Sequence, residues 1–60
     1  MIKFKHLRTN EVIKYDKLDY LPRIGECVNL YNTPNSIVGV VIKIVHERIS
    51  STYCVTIEVY

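Results

Sequence analysis

The sequence predicts an all-β domain, a small, partly open barrel of about five strands. Three observations predict it. Val, Ile, Thr and Tyr crowd into short runs, residue types that suit a pleated, half-buried surface better than a helix. Within several runs apolar and polar side chains alternate, and Gly, Pro, Asn or Ser clusters separate the runs at short intervals. Rolling so small a sheet is also the economical way to bury its apolar face and shield its edges. An apolar fraction of 48% with 23% charged residues lies far from the composition of a disordered chain. Residues 1–60 are expected to form a single small β-barrel domain, because a chain of this size buries only about 60% of its unfolded surface and cannot be divided further.

The first two strands are expected at Ile2 to Arg8 (IKFKHLR) and Val12 to Asp16 (VIKYD), joined as a hairpin in which Asn10 takes the positive φ of a tight turn. Setting Arg8 against Glu11 also sets Lys3 against Asp16 and Phe4 against Tyr15, each pair contributing about 0.2–1 kcal/mol. The same register opposes Lys5 to Lys14, a like-charge pair. Next comes Leu21-Pro22-Arg23-Ile24-Gly25-Glu26. Pro22 disfavours helix at Leu21 and donates no backbone hydrogen bond, and Gly25 permits a sharp turn, so this stretch steers the chain into the next strand. That strand alternates from Glu26, with Val28 and Leu30 on one face and Cys27, Asn29 and Tyr31 on the other. Asn32-Thr33-Pro34-Asn35-Ser36 is a concentrated turn signal.

The strongest signal is the pair Ile37 to Glu47 and Tyr53 to Tyr60, read as a long hairpin. With Arg48 opposite Tyr53, a four-residue loop spans Ile49 to Thr52, and Ile44 faces Ile57, Ile42 faces Val59 and His46 faces Val55. Lys43 then faces Glu58 on the opposite side of the hairpin. This alignment gains an apolar face and an ion pair together, and a slip of one residue would forfeit both. The core expected from it is Val40, Ile42, Ile44, Val55, Ile57 and Val59, leaving Val41, Lys43, Val45, Glu47, Thr56, Glu58 and Tyr60 outside.

The segment "LPRIGECVNL", the following "VVIKIVHE" and the ending "CVTIEVY" resemble small stand-alone SH3-like β-barrel proteins of bacteria and phages. There a Pro-Arg-apolar-Gly-Glu segment leads into a strand and a Val-rich final hairpin carries a His near its turn. The resemblance begins at Leu18. It implies the SH3-like barrel and little about activity, since that architecture hosts many functions. The acidic loop and Trp of peptide-binding signalling SH3 domains are missing.

Catalysis finds no foothold in the sequence. His6 and His46 are far apart, and Cys27 and Cys54 form no Cys-x-x-Cys pair, so neither a metal site nor a cofactor is expected. His46 and Glu47 are strand neighbours that point to opposite faces, and His46 is expected to close one end of the core. Ser50 and Ser51 lack a nucleophile turn, and Gly25 and Gly39 are too isolated to cradle phosphate. The chain reads as a non-enzymatic interaction module.

Charge locates the expected binding surface. Residues 1–23 hold six basic and three acidic residues, although the whole chain carries only +2. The binding set expected from this asymmetry is Lys3, Lys5, Arg8, Lys14, Tyr15 and Tyr20, with another protein as partner. Basic and aromatic side chains so interleaved also suit nucleic acid, the alternative partner. A third reading gives the charges only the task of keeping an edge hairpin soluble. No run approaches the roughly 20 apolar residues of a membrane helix. The sparse cysteines and the lack of a signal-peptide pattern point to the cytoplasm.

Overall fold

The computed structural model describes residues 1–32 and 34–60. Among the described residues there are five strands, β1 (Ile2–His6), β2 (Val12–Tyr15), β3 (Cys27–Asn32), β4 (Asn35–Ile49) and β5 (Thr52–Val59), and no helix. They form one sheet in the order β2-β1-β5-β4-β3, left open between β2 and β3. The order departs from a simple meander, because the first and last strands lie side by side in parallel, Ile2 beside Val55 through His6 beside Val59.

The β1–β2 hairpin forms where the alternation places it, but its register is two residues away from the one the charges favoured. Phe4 pairs with Ile13, Lys3 with Lys14 and Lys5 with Val12. The opposed lysines are therefore Lys3 and Lys14, and Lys5 lies beside Glu58 of β5. A shift of two leaves every side chain on its expected face. The turn sets the register: His6 N–H donates to the Glu11 carbonyl, Asn10 N–H donates to the His6 carbonyl, and Asn10 takes φ 64° as expected.

β4 is the spine of the sheet. Its first half pairs with β3, from Asn32 opposite Asn35 to Cys27 opposite Val40, and its second half pairs with β5. Of the turn segment read between β3 and β4, Thr33 lies outside the described residues. Lys43 faces Glu58, Ile44 faces Ile57, His46 faces Val55 and Arg48 faces Tyr53, as the alternation requires. Pairing continues to Ile49 and Thr52, so the loop holds two residues rather than four. The Lys43 and Glu58 charged groups share the register without approaching to salt-bridge distance. Among the described residues, Arg23–Glu26 is the ion pair that forms.

A β-bulge between Val41 and Lys43 corrects the expected core. Val41, and not Ile42, stands opposite Val59. Val41 and Ile37 are fully buried, whereas Val40 and Ile42 are 37% and 45% exposed. The extra residue inverts the alternation where β4 passes from one partner strand to the other. Ile44 packs at the core's margin, and Ile2, Phe4, Ile13, Val28, Val55, Ile57 and Val59 complete the interior with Ile37 and Val41.

The stretch from Leu21 to Glu26 performs the steering its sequence implies. Leu21 packs against the core and Pro22 is buried. A turn then runs from Arg23 to Glu26, closed by Glu26 N–H donating to the Arg23 carbonyl at 3.0 Å, and the Glu26 carboxylate accepts Arg23 N–H at 2.6 Å. Gly25 occupies the third position at φ 95°, where a type II turn demands a positive value. A Cβ there would touch nothing within 4 Å, so the constraint is backbone conformation alone. Gly25→Val should destabilise by more than about 1 kcal/mol, seen as a melting temperature lower by roughly 4 °C or more. An unchanged melting temperature would remove this account of the turn.

Candidate interaction site

The expected binding residues divide between four places. Lys3, Lys5 and Lys14 share the outer face of the β1–β2 hairpin, opposite the face that buries Ile2, Phe4 and Ile13. His6 N–H donates to the carbonyl of Glu11 opposite it, so strand alternation makes Lys3 and Lys14 a non-hydrogen-bonded pair, the closer kind, with Cα atoms about 4.5 Å apart. Neither ammonium has a carboxylate within salt-bridge distance among the described residues. Beside them a small cavity is lined by residues that include Met1, Lys3, Lys14, Glu47, Cys54 and Thr56. Lys5, Glu58 and Lys43 continue this face across β1, β5 and β4.

Arg8 sits on the turn at the far end of the hairpin, its guanidinium 5.6 Å from the Tyr60 ring centroid. That cation–π contact ties the turn to the end of β5. Tyr15 belongs to the interior instead, meeting Phe4 edge to face at 5.9 Å. Tyr20, 77% exposed, lies in the connection from β2 to β3 and borders a separate groove. The fold thus gathers the three lysines and parts them from both tyrosines of the expected set.

Two features escaped the sequence reading. His6 is the buried histidine, 3% exposed, while His46 is exposed and does not close the core. The His6 Nδ1 accepts the N–H groups of Arg8 at 3.1 Å and Thr9 at 3.4 Å, which leaves the proton on Nε2 to donate to the Val38 carbonyl at 3.2 Å. Nearby, the Glu11 carboxylate accepts Ser36 N–H at 3.1 Å. These two side chains partner one carbonyl and one N–H in the first half of β4, where β5 does not extend alongside it. A buried polar residue in strand phase with Ile2 and Phe4 was the available signal. His46 meanwhile stacks on Tyr53, 5.8 Å between centroids and 15° between planes, and hydrogen-bonds its hydroxyl through Nδ1.

Both cysteines are free thiols, Cys27 exposed and Cys54 half-buried. Among the described residues no group of three or more His, Cys, Asp or Glu is arranged to hold a metal ion, and no helix is long and apolar enough to cross a membrane. Compared with known protein families, curated proteins and solved structures, the chain matches none.

Proposed function

We propose that this chain is a non-enzymatic interaction module that binds an acidic surface of another protein through the outer face of the β1–β2 hairpin. The observation that carries the reading is the Lys3–Lys14 pair. Like charges directly opposite one another destabilise a sheet, and among the described residues no carboxylate lies within salt-bridge distance of either lysine, so a ligand that pairs with them directly gains free energy the isolated domain lacks. Lys5 extends the same basic strip. The resemblance to SH3-like barrels is in keeping with a small binding module. In this reading it acts in the cytoplasm, where Cys27 and Cys54 stay reduced.

Protein is favoured over nucleic acid because the lysine face lacks a stacking platform. Tyr15 is turned onto Phe4, Tyr20 borders another groove and Tyr60 already carries Arg8. The test is affinity capture from a native lysate, read by mass spectrometry and by nucleic-acid recovery, using the original chain beside a Lys3→Glu/Lys14→Glu variant. Lys5 is spared because it neighbours Glu58, where reversal would introduce a new repulsion. The double reversal exchanges one like-charge pair for another, so the fold should persist while protein capture is lost. Capture that survives in a folded double variant places the site elsewhere. Recovery of nucleic acid, with log affinity falling by about 0.9 per neutralised phosphate against log salt, would identify the other partner class.

A further inference from the structure

We propose that the groove between the free edge of β3 and the segment from Leu18 to Pro22 receives an extended, basic peptide of a partner protein, added as a strand beside β3. The backbone supplies the first argument. The Glu26 carbonyl accepts Val41 N–H, so strand alternation turns Val28 and Leu30 toward β4, and turns the N–H and C=O groups of Cys27 and Asn29 toward the open edge. An edge of this kind is a template for another strand.

The groove supplies the second. A cavity of about 350 Å³ lies beside β3, its lining shared by Cys27 to Leu30 with Leu18 to Tyr20 and Pro22, and its apolar contributors are Phe4, Leu18, Pro22, Val28 and Leu30. Alternate side chains of an added strand would reach that apolar lining while its main chain pairs with Cys27 and Asn29.

Charge selects the occupant. Asp19 and Glu26 line the groove and no basic residue does, an inversion of the chain's overall +2. Glu26 is engaged by Arg23, but the Asp19 carboxylate has no cation within salt-bridge distance among the described residues. A Lys or Arg on the incoming strand completes that pair. A second copy offering its own β3, Cys-Val-Asn-Leu-Tyr-Asn, brings no cation and fits less well. The two edges also differ in their guarding: β2 is four residues long and carries Lys14, whereas β3 is six residues long and carries no charge and no proline.

The experiment pans a displayed library of random dodecapeptides on the full chain and measures the enriched peptides against two variants. Asn29→Pro removes an N–H that points away from β4, a change an edge strand tolerates, and should weaken binding by about tenfold or more. Asp19→Asn should weaken it by about threefold or more. The enriched sequences should share a Lys or Arg beside alternating apolar residues. In the unmodified protein, bound peptide should slow hydrogen exchange at the Cys27 and Asn29 amides, a readout that needs no variant. Enrichment of peptides without a basic residue, undiminished binding to Asn29→Pro, unprotected edge amides or no enrichment at all would each overturn the proposal. So would sedimentation showing that β3 is occupied by a second copy. Because the lysines of the outer face take no part, the Lys3→Glu/Lys14→Glu variant should bind these peptides normally, which keeps the two sites separable.

Discussion

Replacing Gly39 by valine is expected to destabilise the chain by about 3–5 kcal/mol, a large part of the stability of so small a domain. Gly39 lies in β4 between the buried Ile37 and Val41, at the point where that strand crosses the end of β5. A Cβ built there would lie 2.6 Å from the Tyr60 carbonyl oxygen, 2.8 Å from Val59 Cγ1 and 3.0 Å from the Tyr60 carbonyl carbon. Two of these are backbone atoms, and Val59 is itself fully buried, so no flexible side chain can swing aside. Relief requires β4 and the end of β5 to separate. That movement strains the reciprocal bonds between Val40 and Tyr60, both 3.0 Å, and opens the core at Val59. Forcing extra methyl groups into such contact costs about 1–3 kcal/mol, and each lost hydrogen bond about 1 kcal/mol more. At about 0.05–0.15 kcal/mol per residue, a domain of this size has roughly 3–9 kcal/mol in all. A chemical denaturation curve settles the matter: a midpoint within error of the original protein would mean that the β4–β5 crossing is looser than its distances imply. Gly25→Val, whose added atoms meet nothing, should be the milder of the two substitutions.

The same crossing explains why part of the core was illegible in the sequence. Along β5 apolar and polar residues alternate from Val55 to Val59, and the pairs Ile44–Ile57 and His46–Val55 follow from that phase. Between Ile37 and Ile42 the chain is apolar at every position except Gly39, so it has no period, and either phase buries hydrophobic side chains. Extending the later phase backwards selected Val40 and Ile42. The bulge reverses the choice and buries Ile37 and Val41. Which phase wins depends on where β4 exchanges β3 for β5, a long-range event that leaves only a glycine as its local trace.

The candidate site was legible as to face but not as to pairing. Lys3, Lys5 and Lys14 lie on the outer face in either register, because the two differ by an even number of residues. Cross-strand charge pairs worth about 0.2–1 kcal/mol each favoured one register, yet the turn fixed the other. Its determinants, the His6 ring capping two N–H groups and Asn10 at positive φ, depend on a folded loop, and His6 binds there only because β4 arrives from a distant part of the sequence. Tyr15 and Tyr20 looked like companions of the lysines by proximity in sequence. One is held by Phe4 and the other is carried off by the β2–β3 connection.

His6→Ala should cost about 2–4 kcal/mol, combining a cavity in the sheet's interior with the loss of hydrogen bonds at both ring nitrogens. The two nitrogens serve different parts of the fold. Nδ1 holds the β1–β2 turn through Arg8 and Thr9, and Nε2 donates to the Val38 carbonyl on β4, thirty-two positions along the chain. Val38 lies beyond the end of β5, so alanine leaves its carbonyl with no strand to supply a donor. The turn amides are nearer solvent, and water can replace part of what they lose. Asparagine separates the two contributions: its Oδ1 can accept from the turn as Nδ1 does, but its amide is too short to reach Val38. His6→Asn should therefore recover about 1 kcal/mol of the alanine loss and leave the rest. Hydrogen exchange should show the same division, with the Arg8 and Thr9 amides better protected in the asparagine variant than in the alanine variant. If alanine instead falls within about 0.5 kcal/mol of the original protein, the histidine contributes nothing net, and the contact between the first hairpin and β4 rests on Ile13, Ile37 and the Glu11–Ser36 bond alone.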